Sequence, residues 1–248
     1  MKTEGSLIAH LLKKVYLGGI VEEAIIDLGA NVVQAVDPTN AVYLKVSEKA
    51  SDTPRIGRVG VGNPTLSIII KHLEAIKGEV AIKKEGNRLI IAAKGRGEVK
   101  YLTVEEEFIS SAVEEDNIVQ LAEPCLISVD IPAQACADFS SYMALVKTKS
   151  ARLVYDAKTQ AVKVESGLES EHQFVVPIGK AGFLIDDQKP ESFSVTVFGN
   201  HIDQIFHVLE WSETERPALL MAPNHPLLVV QNDDNVWALL PLTETAGE

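Results

Sequence analysis

Cysteine is scarce in this chain: Cys125 and Cys136 are the two it has. Two thiols make no disulfide framework, so the expectation is a pair of reduced thiols in an intracellular, reducing compartment. Long apolar runs are missing as well. The stretch 7–12 is broken by charge within a few residues, far short of the ~20 apolar residues that a spanning helix needs. Behind Lys2 no apolar core follows, so neither a secretory signal nor a membrane partner is expected. Positive charge is in short supply: 23 Lys and Arg stand against 35 Asp and Glu, for a net charge of −12. A protein that grips nucleic acid by overall charge shows a basic footprint, so any such function must rest on where the cations stand.

Catalytic signatures are missing too. The stretch Gly57-Arg58-Val59-Gly60-Val61-Gly62 lacks the spacing and the Lys-Ser/Thr of a phosphate loop, and no βαβ setting surrounds it to make a dinucleotide fingerprint. His201 and His207 are six apart, which is not the spacing of a helical metal pair, and the two cysteines have no second pair to complete a zinc site. No Gly-x-Ser-x-Gly elbow occurs. The sequence therefore points to no catalytic residue, no metal and no cofactor, and to a protein that is not an enzyme.

What is present is a folded chain of two domains. Hydrophobic residues make up 46% and charged residues 23% of 248, the balance of a packed protein. Leu7, Ile8, Leu11, Leu12 and Val15 take the spacing of one helix face over 5–17, with Ser6 as cap and Gly18-Gly19 as stop. Strands are expected at 24–28, 32–35 and 41–46, with turns at 29–31 and at Asp37-Pro38-Thr39-Asn40, then a polar loop over 47–60. Asn63 and Pro64 open a second helix that buries Leu66, Ile69, Ile70, Leu73 and Ile76 and stops at Gly78. A hairpin at 79–84 and 88–93 and a strand at 99–104 follow. The second half repeats this order: a helix at 132–147 with Ala135, Cys136, Phe139, Met143 and Val146 inward, strands at 151–155, 161–165, 174–178 and 192–198, and a helix at 200–211. Strands at 227–231 and 236–240 close it. Such a repeat predicts two copies of one α+β unit, with helices on one face of antiparallel sheet.

Several stretches resemble the sliding clamps of the proliferating cell nuclear antigen (PCNA) type. Gly5-Ser6-Leu7 through Lys13-Lys14-Val15 is similar to that family's first inner helix, paired lysines included. Ala35-Val36-Asp37-Pro38-Thr39-Asn40 resembles its Asp-Pro turn, and 65–78 followed by 79–88 its second inner helix and hairpin. Pro226-Leu227-Leu228-Val229-Val230 resembles its Pro-Leu-Val-Val strand, and Leu239-Leu240-Pro241 stands where it has Leu-Ala-Pro. Order and spacing carry the resemblance, which covers nearly the whole chain. The acidic loop at 167–173, the tail and the cation-poor second-half helices depart from the family.

The resemblance implies a DNA clamp fold with antiparallel sheets outside and two helices per domain on an inner face. The domains would be 1–110 and 124–248, joined by a connector at 111–123. It implies a homotrimeric, head-to-tail ring around duplex DNA, binding weakly and without sequence preference. Lys13, Lys14, Lys71 and Lys77 of the first half face the DNA in this reading, with Lys147 and Lys149 as the second half's contribution. Partners would be DNA polymerase, a clamp loader and other proteins carrying a short peptide with aliphatic and aromatic anchors. The peptide pocket by position is Val36, Ala41, Tyr43, Ile118, Leu121, Pro226, Ala238, Leu240 and Pro241. The subunit contact is expected where 99–104 of one copy pairs with 174–178 of the next. The alternatives are a monomeric processivity factor or a hetero-ring subunit, and, from another class, a small-molecule enzyme or ligand-binding α+β protein.

Overall fold

The computed structural model describes residues 2–27, 32–47, 57–62, 64–76, 78–93, 95–109, 122–167, 172–185, 189–212, 216–232 and 235–242. The chain divides into two compact units, Met1–Glu114 and Glu115–Glu248. The expected connector falls almost wholly outside the described residues.

In the first unit the order is β1 (Lys2–Glu4), α1 (Gly5–Tyr16), β2 (Ala24–Asp27), β3 (Val32–Val36), β4 (Val42–Ser47), β5 (Arg58–Val61), α2 (Thr65–Ala75), β6 (Glu79–Glu85), β7 (Arg88–Ala93) and β8 (Gly97–Leu102). The amphipathic spacing of α1 puts Ile8, Leu11, Leu12 and Val15 in the core, against α2 and the β3–β4 hairpin. Each fully buried aliphatic side chain of this kind contributes roughly 1.5–3 kcal/mol. The helix ends where Leu17, Gly18 and Gly19 take positive φ, which the two glycines adopt without a Cβ clash.

In the second unit the order is β9 (Ile127–Asp130), α3 (Ala133–Val146), β10 (Ser150–Asp156), β11 (Ala161–Ser166), β12 (Phe174–Lys180), β13 (Gly182–Phe183), β14 (Phe193–Phe198), α4 (Gly199–Val208), β15 (Ala218–Met221), β16 (Leu227–Gln231) and β17 (Asn235–Leu239). Phe139 of α3 anchors this core. Its ring meets Phe174 and Phe206 edge-on at 5.7 and 5.5 Å between centroids, the geometry that aromatic quadrupoles favour.

All pairings within the units are antiparallel, and the two units use one strand plan. In the first, β1-β6-β7-β8 form one run and β4-β3-β2-β5 another. In the second, β9-β15-β16-β17 and β12-β11-β10-β14 take the corresponding places, with β13 added beyond β9. In both, the opening strand pairs with the strand that follows the second helix, and the strand before that helix returns to the first hairpin. The chain is α+β and carries the unit twice.

Arg58–Val61 corrects the loop expected over 47–60: it is a strand, paired along β2 from Ala24↔Val61 to Asp27↔Arg58. Its glycines resemble a loop, but Gly60 is where another backbone comes close. A Cβ there would lie 2.4 Å from the Val104 carbonyl oxygen. Short strands β1, β9, β13 and β15 carry too few residues for alternation to reveal them.

Candidate nucleic-acid interface

On α1 the residues turned from the core are Ser6, His10 and Lys13, at i, i+4 and i+7. On α2 they are Ile68, Lys71 and Ala75, on the same spacing after the exposed Pro64, with the exposed Glu74 beside them. The two helices pack side by side, and a groove of about 450 Å³ lies between them, lined by Ser6, His10, Lys13, Leu73, Glu74 and Ile76 among others. Across it the Lys13 ammonium forms an ion pair with Glu74 Oε1. Lys71 is exposed and makes no ion pair among the described residues. Lys77 lies outside the described residues.

Lys14 corrects the expectation that both lysines of α1 face outward. It is 2% exposed and belongs to the flank of the buried stripe beside Leu7 and Leu11. Consecutive helical residues are about 100° apart, so a Lys-Lys pair cannot place both ammonium groups on one narrow stripe. Its long apolar stem lets it pack there.

The helices of the second unit are polar but carry no lysine or arginine. On α3, Gln134 donates to Asp138 at 2.8 Å, and Ser140 Oγ donates to Asp203 Oδ1 on α4 at 2.6 Å. His207 Nδ1 donates to the Asp203 carbonyl at 2.8 Å. Lys147 and Lys149 are exposed, at the exit of α3. Lys147 closes the helix in a left-handed conformation with its N–H on the Met143 carbonyl at 2.9 Å.

Of the expected peptide-pocket residues, Val36 and Tyr43 are cross-strand partners of the β3–β4 hairpin. Asp37 builds the turn between the strands. Its Oδ1 accepts the Val42 N–H at 2.6 Å, and its Oδ2 accepts the Thr39 N–H at 3.0 Å and the Thr39 hydroxyl. In the second unit, the register Leu227↔Leu239 brings Pro226 to the same hairpin end as Leu240 and Pro241, all partly exposed. Ala238 is 0% exposed and Val36 and Ala41 are also buried, so these three are core residues rather than a docking wall. Ile118 and Leu121 lie outside the described residues. Trp237 is fully buried.

Strands β8 and β12 are two of the edge strands among the described residues. Strand β8 pairs only with β7, and β12 only with β11. On and beside β8 lie Ile68, Val99 and Leu102, the last 63% exposed; beside β12 lie Val175, Tyr142 and Leu145, the last 76% exposed. The Tyr101 hydroxyl shares a hydrogen bond with His72 Nδ1, which ties β8 to α2, and burial pushes the Tyr101 hydroxyl pKa above its usual range. The exposed apolar residues escaped the sequence reading. Their signal was Leu145, which breaks the inward spacing of Phe139, Met143 and Val146.

Burial pushes the Cys125 thiol up to about 11, and burial with the nearby Asp203 carboxylate pushes Cys136 to about 12. Among the described residues no group of three or more His, Cys, Asp or Glu could hold a metal. No helix among them is long and apolar enough to cross a membrane.

No protein-family model matches the sequence, and no curated protein sequence matches it. The structure is similar over its whole length to solved sliding clamps. A putative DNA polymerase III β subunit from Eubacterium rectale superposes with a TM-score of 0.74 at 12% identity, covering 98% of this chain. This chain spans 65% of the length of that protein. A. fulgidus PCNA, solved bound to the C-terminal region of FEN-1, gives 0.65 at 14% identity with 98% of both chains covered. A chain of the PCNA2–PCNA3 complex from Sulfolobus tokodaii gives 0.69 at 9% identity, covering 97% of this chain and 99% of that one. The chain has the sliding-clamp fold, in a divergent form.

Proposed function

We propose that this chain is a subunit of a DNA sliding clamp, an intracellular, non-enzymatic homotrimeric ring that encircles duplex DNA and tethers a polymerase and other replication or repair proteins. The observation that carries the reading is the duplicated strand plan with a helix pair in each unit, in a chain matched end to end by the A. fulgidus clamp. A ring holds DNA by topology, so it works with little affinity. Each firm phosphate contact would release counterions and tighten the grip, which hinders sliding. The sparse cations of α1 and α2 suit that need. The net charge of −12 keeps the remaining surface from DNA, and a Debye length of roughly 8 Å at physiological salt lets Lys71 and Lys13 act locally.

In this reading β8 of one copy pairs with β12 of the next by strand addition, and Ile68, Val99 and Leu102 cover Val175, Tyr142 and Leu145. The contact is head-to-tail and closes by rotation. Pro226, Leu240 and Pro241 of the second unit offer the partly exposed apolar end that takes an aliphatic or aromatic anchor of a partner peptide. Lys147 and Lys149 are secondary DNA contacts. Light scattering tests the assembly: three copies of 26.9 kDa give a particle of about 81 kDa. A stable monomer would remove the homotrimer.

A hetero-ring subunit is the second reading. The absence of lysine and arginine from α3 and α4 favours it, as does the likeness to a chain of a complex of two different clamp proteins. There the purified chain stays below trimer mass until a different clamp chain is added.

A further inference from the structure

We propose that Glu74 limits the grip on DNA by holding Lys13, so that Glu74 and a DNA phosphate compete for one ammonium group. This rests on the clamp reading, in which the outward faces of α1 and α2 look on DNA. Lys13 is the cation of the outward stripe of α1, since Lys14 is buried. Glu74 projects from α2 across the groove of about 450 Å³ and takes the Lys13 ammonium through Oε1. Both side chains stay about half exposed, so a third partner can reach the pair from solvent. An ion pair this exposed is weak, and a phosphate oxygen forms the same charge-assisted bond.

Charge on the described helix faces shows what the pair controls. The first unit presents Lys13 and Lys71 against Glu74, two cations and one anion, and only Lys71 is available without exchange. Helices α3 and α4 add Asp138 and Asp203 and no lysine or arginine. Glu74 therefore decides whether the described faces of α1 and α2 offer DNA one ready cation or two. A contact that must displace a carboxylate each time it forms is short-lived, which suits a ring that moves. The sequence hides this, because Lys13 and Glu74 are sixty-one positions apart, as 74 minus 13 gives, and meet only through helix packing.

Fluorescence anisotropy with a short duplex, from low to moderate salt, tests the proposal on the full chain. The proteins compared are the parent, Glu74→Gln, Lys13→Ala, the double variant and Lys71→Ala, with melting curves to confirm that each is folded. Releasing Lys13 should tighten binding by about two- to fivefold at low salt, the range of an exposed ion pair. The log–log salt dependence should steepen by about 0.9 for each additional phosphate neutralised. In the double variant the tightening should vanish and binding should match Lys13→Ala. If Glu74→Gln leaves binding unchanged while Lys71→Ala weakens it, the helix faces meet DNA but Glu74 restrains nothing. If the tightening persists without Lys13, Glu74 acts by repelling DNA directly and the proposal is wrong. If neither Glu74→Gln nor Lys71→Ala alters binding, these helices do not face DNA and the clamp reading falls with the proposal.

Discussion

Replacing Gly60 by alanine should destabilise the first unit by about 2–4 kcal/mol, and the geometry shows why. The added Cβ would lie 2.4 Å from the Val104 carbonyl oxygen and 2.6 Å from Ile109 Cδ1. A side-chain tip can turn away, but the carbonyl belongs to a backbone that bridges to Gly60 itself, where the Gly60 oxygen accepts the Val104 N–H at 2.9 Å. Relief therefore separates β5 from the 103–109 segment. Overpacking of this kind costs roughly 1–3 kcal/mol, and loss of the bridging bond adds about 1 kcal/mol. Gly62 is the internal control. A Cβ there meets nothing nearer than Val104 Cγ2 at 3.6 Å, an ordinary contact, so Gly62→Ala should stay within about 0.5 kcal/mol of the parent. Urea unfolding followed by far-ultraviolet circular dichroism measures both. Trp211 and Trp237 lie in the second unit, so tryptophan fluorescence reports that unit separately. Equal midpoints for Gly60→Ala and Gly62→Ala would refute the close approach.

Three further outcomes are expected. Asp37→Ala should cost about 2–3 kcal/mol, because the buried Val42 N–H loses a charged acceptor, and hydrogen exchange at Val42 should quicken. Cys125 and Cys136 should resist alkylation at about pH 8 in the native protein and react once it is unfolded, since burial raises both thiols to about 11 and 12. Glu165 is buried, which alone would raise its pKa, yet hydrogen bonds from Lys163 and Arg152 hold it below the usual carboxylate range. A lowered folded-state pKa gives stability that is present above the unfolded value and lost as pH falls through the folded one. Glu165→Gln should therefore cost about 1–2 kcal/mol at about pH 7, with the difference fading on acidification below the ordinary glutamate range in pH-dependent denaturation.

The sequence made the helix faces legible, because four amphipathic segments each have to bury a stripe. Leu66, Ile69, Ile70 and Leu73 are buried as their spacing requires, as are Ile202, Ile205 and Phe206. Hairpins were legible for a similar reason, since β10 buries alternate residues from Ala151 to Tyr155. Features that depend on distant segments were hidden. Gly60 looked like loop because the backbone it admits is that of Val104, over forty positions on. Lys14 looked like Lys13 because composition does not show which flank of a helix is covered. Of the site, the Asp37 turn and the outward lysines 13 and 71 could be read. The Glu74 pairing, the core position of Ala238 and the apolar residues at the two sheet edges needed coordinates.

The claim at the centre of this account is that the assembled chain closes around DNA, and a topological trap measures that without a loading enzyme. Protein is first allowed to thread onto an open linear duplex, and both ends are then blocked with bound streptavidin. The sample is next washed at about 0.5 M salt, where binding through phosphate contacts is lost. A ring should remain on the blocked duplex and leave when a restriction cut opens an end. Equal loss from blocked and open duplexes, or retention that survives the cut, would contradict encirclement.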